Sequence, residues 1–347
     1  MRLSFRGATT RVAAVLLIAL AVAPRPASPT PSVAPRDDDP RVYLKLVRGA
    51  DMPFAQVAST LEAALSEAGW TILSRTDAGV DPSACSFKSR VVVAVPQGYG
   101  KRLLSYGSHA AFAVPIRFVV WEDEEGVGVG ATNPMNLNRT IVDEASSPED
   151  WADVVRGIRA VTSKAFPRWT VNTEYGQERG NARIGRTMGI MAGGKFNDKL
   201  EDVLVRPAAG ATPAAIADRL MKGLASVPGD WEWGIRGVYV LDMPEHGMTL
   251  LGVTGDEVER RSFDIVKHGG DGERKDMACP GIDHAAAYPV EIAISVVGGE
   301  LRIQLVDEMY RMKMFFEDAG KMSFAKNMGM PGSIEDEIRT KILAILN

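Results

Sequence analysis

Cysteine and histidine are scarce in this sequence, which has two cysteines and four histidines among its 347 residues. Two cysteines exclude a disulfide-rich scaffold, and neither residue type is spaced as a structural zinc site requires. Positive charge is not in excess either, because 40 basic residues stand against 44 acidic ones and the formal net charge is −4. The chain offers no diffuse attraction for nucleic acid, and we expect no nucleic-acid partner.

Motifs that announce a reaction are also missing. The sequence contains no Gly-x-Ser-x-Gly elbow, no His-Glu-x-x-His pair, no Cys-x-x-Cys-His haem site and no phosphate loop ending in Gly-Lys-Ser/Thr. These absences leave any cofactor unknown. They favour a protein that binds over one that catalyses.

The N-terminal segment has the pattern of a secretory signal. Three arginines accompany the uncharged run Val12–Ala23, whose length suits a signal sequence and is too short to span a bilayer. We expect a signal peptide over 1–27, a flexible tether over 28–40 and export to the periplasm or the cell exterior, with a retained anchor as the alternative. No other apolar stretch reaches about 20 residues, so we expect no membrane span in the mature chain.

Export would place Cys85 and Cys279 in an oxidising compartment. Two cysteines permit a single intramolecular disulfide, but their spacing does not show whether they meet. The pairing stays open at this point.

The same order of apolar patterns occurs twice along the chain. In the first occurrence, strand-like runs lie at 41–47, 71–74, 91–95, 116–122 and 127–131, with a helix after the first and a closing helix at 148–166. Downstream, Leu61 corresponds to Leu220 at an offset of 159, and Pro115 to Pro289 at an offset of 174. We predict a first unit over 41–169, a Gly/Arg-rich linker over 170–199 and a second unit over 200–347. Matching 91–96 with 239–244 places an insertion near 245–284 in the second unit.

Each unit has the order β-α-β4-α, an α+β arrangement in which two helices cover one face of an antiparallel sheet. The other face must be solvated, bind a ligand or pair with another sheet. Two units in one chain predict an internal pseudo-dimer, with a homo-oligomer as the alternative.

Two stretches resemble the domain-of-unknown-function 302 family. They are Ala113–Gly126, a proline-led strand followed by an acidic turn, and Arg311–Gly320 in the second unit. The resemblance covers nearly all of both units and implies a tandem duplication of the family domain. It also implies a topology related to the saddle of TATA-binding proteins and association in pairs. It implies no activity.

Methionine is concentrated near the end of the chain. Met309, Met312 and Met314 belong to this cluster, and in an extended segment Met312 and Met314 would share one face. Thioether sulfur is a ligand for Cu(I), so these residues, with His284, are candidates for a copper site. The alternative is that the methionines fill an irregular core or line a ligand pocket.

His284 precedes a predicted strand, and Glu317 and Asp318 follow in the same unit. A histidine beside a carboxylate can act as an acid/base group. An enzyme of this kind, hydrolase-like or other, requires His284 within hydrogen-bond reach of Glu317 or Asp318 in one cleft. The alternatives are a structural histidine and carboxylates that cap a helix.

Trp231 and Trp233 alternate on a predicted strand, Trp231–Arg236, so they would face the same side and could form the floor of a ligand pocket. Packing beneath the helices is the alternative. Taken together, these residues favour an exported, non-enzymatic protein that binds a small ligand or a soft metal. An enzyme using His284 and a structural protein-interaction module are the two alternatives.

Overall fold

Antiparallel strand pairing organises most of the chain. The computed structural model describes residues 40–83, 85–142, 148–178, 193–267, 279, 281–316, 318–319 and 321–347. The predicted signal peptide, the tether up to residue 39, residues 179–192 of the predicted linker, residues 268–278 of the predicted insertion and Glu317 lie outside the described residues.

The first sheet is formed by the first unit. Its strands are β1 (Arg41–Ala50), β2 (Trp70–Asp77), β3 (Ser89–Pro96), β4 (Ile116–Asp123), β5 (Gly126–Thr132) and β6 (Thr170–Glu178). They lie in the order β2-β3-β4-β5-β1-β6, each antiparallel to its neighbours. The five strand-like runs of the first unit are thereby confirmed. Strand β6 lies within the segment that we predicted as linker.

The second sheet has a matching strand order. Its strands are β7 (Leu200–Pro207), β8 (Arg236–Met243), β9 (Met248–Thr254), β10 (Val290–Val297) and β11 (Glu300–Val306), in the order β7-β11-β10-β9-β8. From the opposite edge this is the order of the first sheet without β6, so β8 takes the place of β2 and β9 that of β3. The match of 91–96 with 239–244 was therefore wrong: 239–243 belongs to the edge strand β8. The true counterpart of β3, β9, lies inside the predicted insertion.

Helices cover the outer face of each sheet. The helices of the described residues are α1 (Phe54–Glu67), α2 (Tyr99–Leu104), α3 (Pro134–Ile141), α4 (Pro148–Ala165), α5 (Pro213–Gly223), α6 (Asp256–Lys267), α7 (Glu308–Phe316), α8 (Lys321–Lys326) and α9 (Gly329–Leu346). Helices α1 and α4 pack on the first sheet, and α5 and α9 on the second. The apolar stripe of α1 is buried, as its spacing predicted. Of the helices described here, none has the length and apolarity needed to cross a membrane.

The inner faces of the two sheets point towards the other unit. On β4, Phe118 faces the helices and contacts Trp70, with ring centroids 5.6 Å apart, so the neighbouring Arg117 faces inwards. Two 3-10 turns enter this space, the first insert turn (Ser108–Ala113) and the second insert turn (Ile282–Ala287). The first packs on β10 and the second on β3, β4 and β5, so each unit covers part of the other unit's sheet.

A disulfide ties the two units together. Cys85 is bonded to Cys279, with Cα atoms 5.6 Å apart and a sequence separation of 194. The bond joins the segment before β3 to the segment before the second insert turn. A hydrogen bond close to Cys85 in sequence also joins the two units: the Gly79 N–H donates to Oε2 of Glu259 on α6 at 2.5 Å. The pairing that the sequence left open is thus present in the structure.

Candidate functional site

The candidate site lies between the two sheets, where β4 and β10 bring charged side chains into a buried interface. Nε and Nη2 of Arg117 donate to Oε1 of Glu291 at 3.1 and 2.5 Å, and each side chain is only 4% exposed. The Tyr239 hydroxyl donates to the same oxygen at 3.1 Å. Gly252, opposite Tyr239 in the sheet, leaves room for that ring, since a Cβ there would collide with it. Burial and the Glu291 carboxylate raise the pKa of Tyr239 well above its ordinary value, so the phenol remains a donor.

A second buried ion pair lies on α7. Nε and Nη2 of Arg311 each donate to a different oxygen of Glu308 at 2.7 Å, and Nη1 donates to the Ala287 carbonyl at 2.7 Å. Burial raises the pKa of Glu308, and the Arg311 charge opposes that shift. The Phe315 ring lies within reach of both guanidinium groups, 5.2 Å from that of Arg117 and 5.7 Å from that of Arg311. Both arginines therefore have a carboxylate partner and an aromatic neighbour.

A small cavity adjoins these two pairs. Its volume is about 20 Å³, which is roughly the room that one ordered water needs. The polar part of its wall consists of Arg117, Thr132, Asn138, Glu291 and Arg311, and the apolar part includes Phe112, Leu137, Ile141, Phe196, Met314 and Phe315. Both units contribute to each part of the wall. The cavity is thus a feature of the interface between the units.

His284 forms a separate cluster with Asp283 and Asp318. The ring is fully buried, with Nδ1 2.9 Å from Oδ1 of Asp283 and Nε2 3.1 Å from Oδ2 of Asp318. Tyr43 and Tyr175 of the first unit contact the ring edge-on, with centroids 4.8 and 5.6 Å away. The second insert turn therefore presents its histidine to an aromatic wall of the first sheet.

Hydrogen bonds to backbone carbonyls fix this aromatic wall. The Tyr175 hydroxyl donates to the Asp283 carbonyl at 2.6 Å, and the Tyr43 hydroxyl donates to the Phe315 carbonyl at 3.2 Å. The two tyrosine rings stack on each other with centroids 4.9 Å apart. Tyr43 of β1 thus binds the backbone of α7, and Tyr175 of β6 binds the backbone of the second insert turn.

The chemistry open to His284 follows from these contacts. Asp318 lies within hydrogen-bond reach, as the enzyme alternative required, whereas Glu317 lies outside the described residues. The pair lies in the protein interior, however, and both ring nitrogens already face carboxylate oxygens. A substrate or metal ion could reach neither nitrogen without displacing an aspartate.

The methionines do not form the strand face that we expected. Met309, Met312 and Met314 lie on helix α7, where residues two apart point roughly 200° away from each other. Met312 and Met314 are buried, at 1% and 2% exposure, and Met309 is partly buried. The expectation that Met312 and Met314 share a face was wrong. Within the described ranges, no group of three or more His, Cys, Asp or Glu side chains is arranged to hold a metal ion.

The two tryptophans are separated as well. The strand that we predicted over Trp231–Arg236 begins only at Arg236, and the preceding residues form bends and loop. Trp231 is 55% exposed, whereas Trp233 is 3% exposed. The Arg261 guanidinium lies over the Trp233 ring, with Cζ 4.8 Å from the ring centroid. The prediction of a common face was wrong, because the chain is not extended here. The two backbone N–H groups instead donate to Oε2 of Glu337 at 3.3 and 3.1 Å.

Several residues of the interface were missed at the sequence level. They are Arg117, Glu291, Arg311, Tyr43 and Tyr175. A signal for the first two was present, because each lies two residues after a matched proline, Pro115 or Pro289, inside an apolar strand. Opposite charges at one position of two corresponding strands can form an ion pair if the two strands meet.

Comparison with known proteins gives a family match for the first unit and no activity. None of the curated proteins matches the chain. One similar solved structure is described as the crystal structure of an uncharacterized conserved protein DUF302 from Bacillus stearothermophilus; it is 16% identical, with a TM-score of 0.30, over 35% of this chain and 95% of that one. Residues 47–165 match the family model described as Domain of unknown function DUF302, so the first unit carries the family match that its sequence resembled.

Proposed function

We propose that the chain is a binding protein for a small neutral molecule with an apolar body and a hydrogen-bond-accepting end, and that the cavity between the units is its site. The observation that carries this proposal is the composition of the cavity wall, which joins aromatic and aliphatic side chains to buried polar groups of both units. Ligand pockets in proteins typically combine an apolar lining with a few oriented polar groups.

The charges of the wall support a neutral ligand. Arg117 is paired with Glu291, and Arg311 with Glu308, so each buried cation already has its anion. A charged ligand would add an uncompensated charge to this environment, which is costly. A neutral ligand avoids that cost.

The hydrogen-bonding groups of the cavity wall support a ligand that carries a hydrogen-bond acceptor at its polar end. The guanidinium of Arg117 lines the cavity and binds Glu291 through Nε and Nη2, which leaves the donors of Nη1 outside that pair. Nδ2 of Asn138 donates to the Tyr99 hydroxyl at 2.6 Å. A carbonyl or ether oxygen of a ligand would therefore meet a guanidinium donor.

The size of the cavity sets a condition on binding. A volume of about 20 Å³ admits roughly one water, so an organic ligand must displace part of the wall. Met314 is the side chain best suited to move, because methionine is unbranched and adapts to different packings. Phe196 is the other, since its ring packs edge-on against Phe112 and Tyr310 at the end of a loop segment, with centroids 5.5 and 6.1 Å away.

Native mass spectrometry and thermal unfolding test this proposal. Phe196→Ala widens the cavity, while Phe166→Ala removes an equally buried ring that does not line it. We expect acetophenone to raise the Tm of Phe196→Ala more than that of Phe166→Ala, and more than ethylbenzene does, because only acetophenone carries an acceptor. Protein from an exporting host should also carry a bound neutral mass. Ligand-free preparations together with equal shifts in both variants would exclude the site.

Copper has no place in this proposal, because the methionines diverge on α7 and the nitrogens of His284 face carboxylates. The second candidate function is acid/base catalysis by His284 and Asp318, and the observation in its favour is their 3.1 Å separation. It requires the aromatic wall to open. A protein-interaction role receives less support, because few large apolar side chains of the described residues are exposed: Val171, Val205, Trp231, Val297 and Met328.

We further propose that the two units arose by tandem duplication, keep the saddle-type topology of the family and pair internally in place of a homodimer. The shared strand order and the constant offset of 174 between the insert turns support this. The signal-like leader and the disulfide support export to the periplasm or the cell exterior. Peptide mapping of the secreted protein would reveal the leader cleavage and the oxidised cysteines, and an uncleaved cytoplasmic chain would contradict export.

A further inference from the structure

The hydrogen bonds around His284 depend on how many protons its ring carries. The proposed ligand binding does not involve this cluster. A neutral imidazole carries one N–H, so it can donate to one acceptor and must accept at its other nitrogen. Here Nδ1 is 2.9 Å from a carboxylate oxygen of Asp283 and Nε2 is 3.1 Å from a carboxylate oxygen of Asp318. Ionised carboxylates only accept. The neutral ring would leave one nitrogen lone pair facing a carboxylate lone pair.

We propose that His284 is an imidazolium that clamps the second insert turn onto the first sheet, and that this clamp loosens when alkaline solution removes its proton. With both N–H groups present, each aspartate receives a charge-assisted hydrogen bond. Asp283 and His284 belong to the second insert turn, and Asp318 follows α7. The proton therefore joins two segments of the second unit directly in front of the aromatic wall of the first unit.

Residues of both units contact the His284 ring, so its proton affects the interface between the units. On the first sheet, Tyr175 and Tyr43 contact the ring, and Nζ of Lys45 lies 5.5 Å from the Tyr175 ring centroid. From α7, Phe316 stacks on the imidazole with centroids 6.1 Å apart. The guanidinium groups of Arg117 and Arg311 lie 5.2 and 5.7 Å from the Phe315 ring centroid. The carboxylates of Asp283 and Asp318 are in direct contact with the ring.

The remaining contacts explain why loss of the proton affects both units. The Tyr175 hydroxyl binds the Asp283 carbonyl at 2.6 Å, and the Ser89 hydroxyl binds the Ile282 carbonyl at 3.0 Å. These bonds hold the second insert turn against β6 and β3. A repulsion between the deprotonated ring and either aspartate pushes on a segment that the first sheet holds directly.

The sign of the pH effect follows from linkage. A histidine that gains carboxylate partners on folding binds its proton more tightly in the folded protein than in the unfolded chain. Its contribution to stability is full below the ordinary histidine range, about pH 6.5, and disappears as the folded protein loses the proton at higher pH. The clamp is therefore closed in neutral and mildly acidic solution.

Nitrogen-15 NMR of the full chain reads the ring directly. We expect both nitrogens of His284 to carry protons at pH 7, with the assignment made by comparison with a His284→Gln variant. One unprotonated nitrogen at this pH would overturn the proposal, because it would show that an aspartate holds the proton or that the ring is neutral.

Asp318→Asn supplies a variant that distinguishes a proton clamp from simple packing. The amide nitrogen of asparagine donates, so a neutral ring could accept it at Nε2 while Nδ1–H still binds Asp283. We expect the urea midpoint of the wild type to fall more steeply between pH 7 and pH 9 than that of Asp318→Asn. Parallel curves for the two proteins would overturn the clamp. Ligand binding in the cavity is scored separately by Tm shifts at a fixed pH, so either proposal can fail alone.

Discussion

Arg117 and Glu291 occupy the same position in their two sheets, 174 residues apart in sequence, and bind each other across the interface. Each follows its matched proline by two residues, and each faces inwards from the central strand of its sheet. In a symmetric dimer this position would bring two identical residues together on the twofold axis. With opposite charges at this position, a unit attracts the other kind of unit and repels a copy of itself. The pair therefore favours one unit of each kind.

This pair gives the first prediction. Arg117→Met should lower the free energy of unfolding by about 3–5 kcal/mol, because it leaves the Glu291 carboxylate buried without its partner. The double variant Arg117→Met/Glu291→Met should recover most of that loss, since similar volume is retained and no charge is left buried. Urea denaturation at pH 7 measures both. Equal losses in the single and double variants would mean that packing, rather than the charge, governs this position.

The disulfide gives the second prediction. Cys85→Ser/Cys279→Ser should lower the unfolding free energy by about 2–5 kcal/mol, because the bond closes a loop of 194 residues and restricts the unfolded chain. Reducing agent should destabilise the wild type by a similar amount and leave the double variant unchanged. Denaturation with and without dithiothreitol checks this. An unchanged wild type in reductant would show that the bond contributes nothing to stability.

Strand patterns carried most of the fold information that the sequence contained. Runs of apolar residues located β1, β3, β4 and β5 closely, because these strands are buried along most of their length. Strand β6 was missed because Thr170–Glu178 has few apolar residues. Its burial depends on Tyr175, which packs against a ring of the other unit, and single-sequence patterning does not reveal such contacts.

Short helices account for the errors near the methionines. The alternation of Met312 and Met314 is typical of a strand, but α7 is a helix that begins after Asp307, whose side chain accepts the N–H of Tyr310 at 3.1 Å. Asn133 does the same for Met135 at the start of α3, at 3.0 Å. Asp and Asn ahead of a helix are recognised capping signals. They lie 174 residues apart, so the repeat itself could have indicated both helices.

The interface could be predicted only in part. The offset of 174 marks corresponding positions, but it does not say which positions meet. His284 was singled out for its place ahead of a strand, and its contact with Asp318 depends on α7 returning the chain to the insert turn. Such a contact is set by tertiary packing, since 34 residues separate the two side chains.

The tryptophans give a third prediction that tests the corrected loop. Trp233→Ala should lower the unfolding free energy by about 3–5 kcal/mol, because its ring is buried under Arg261. Trp231→Ala should change it by about 0.5 kcal/mol or less, because that ring is mostly exposed. Fluorescence-monitored denaturation of the two single variants makes the comparison. Similar losses at both positions would restore the common buried face that the sequence suggested.

Glu259 gives the last prediction, on pH dependence. It is buried on α6, its Oε2 accepts the Gly79 N–H at 2.5 Å and its other oxygen accepts the Thr254 hydroxyl. Burial raises the pKa of Glu259 to about 7, and these two hydrogen bonds oppose the shift only in part. The nearby charges are Arg236, which lowers the pKa, and Asp256, which raises it.

The sign follows from proton binding. Between about pH 4.5 and pH 7 the folded protein holds a proton on Glu259 that the unfolded chain has released, so stability falls as pH rises through this window. The full difference amounts to roughly 3 kcal/mol at 1.36 kcal/mol per pH unit. Glu259→Gln, which keeps the shape without the charge, should remove this slope between pH 5 and pH 7. The slope of Asp318→Asn in the same window should stay that of the wild type, because the His284 clamp acts at higher pH. An unaltered slope in Glu259→Gln would show that another group takes up the proton and that the link between α6 and Gly79 does not depend on pH.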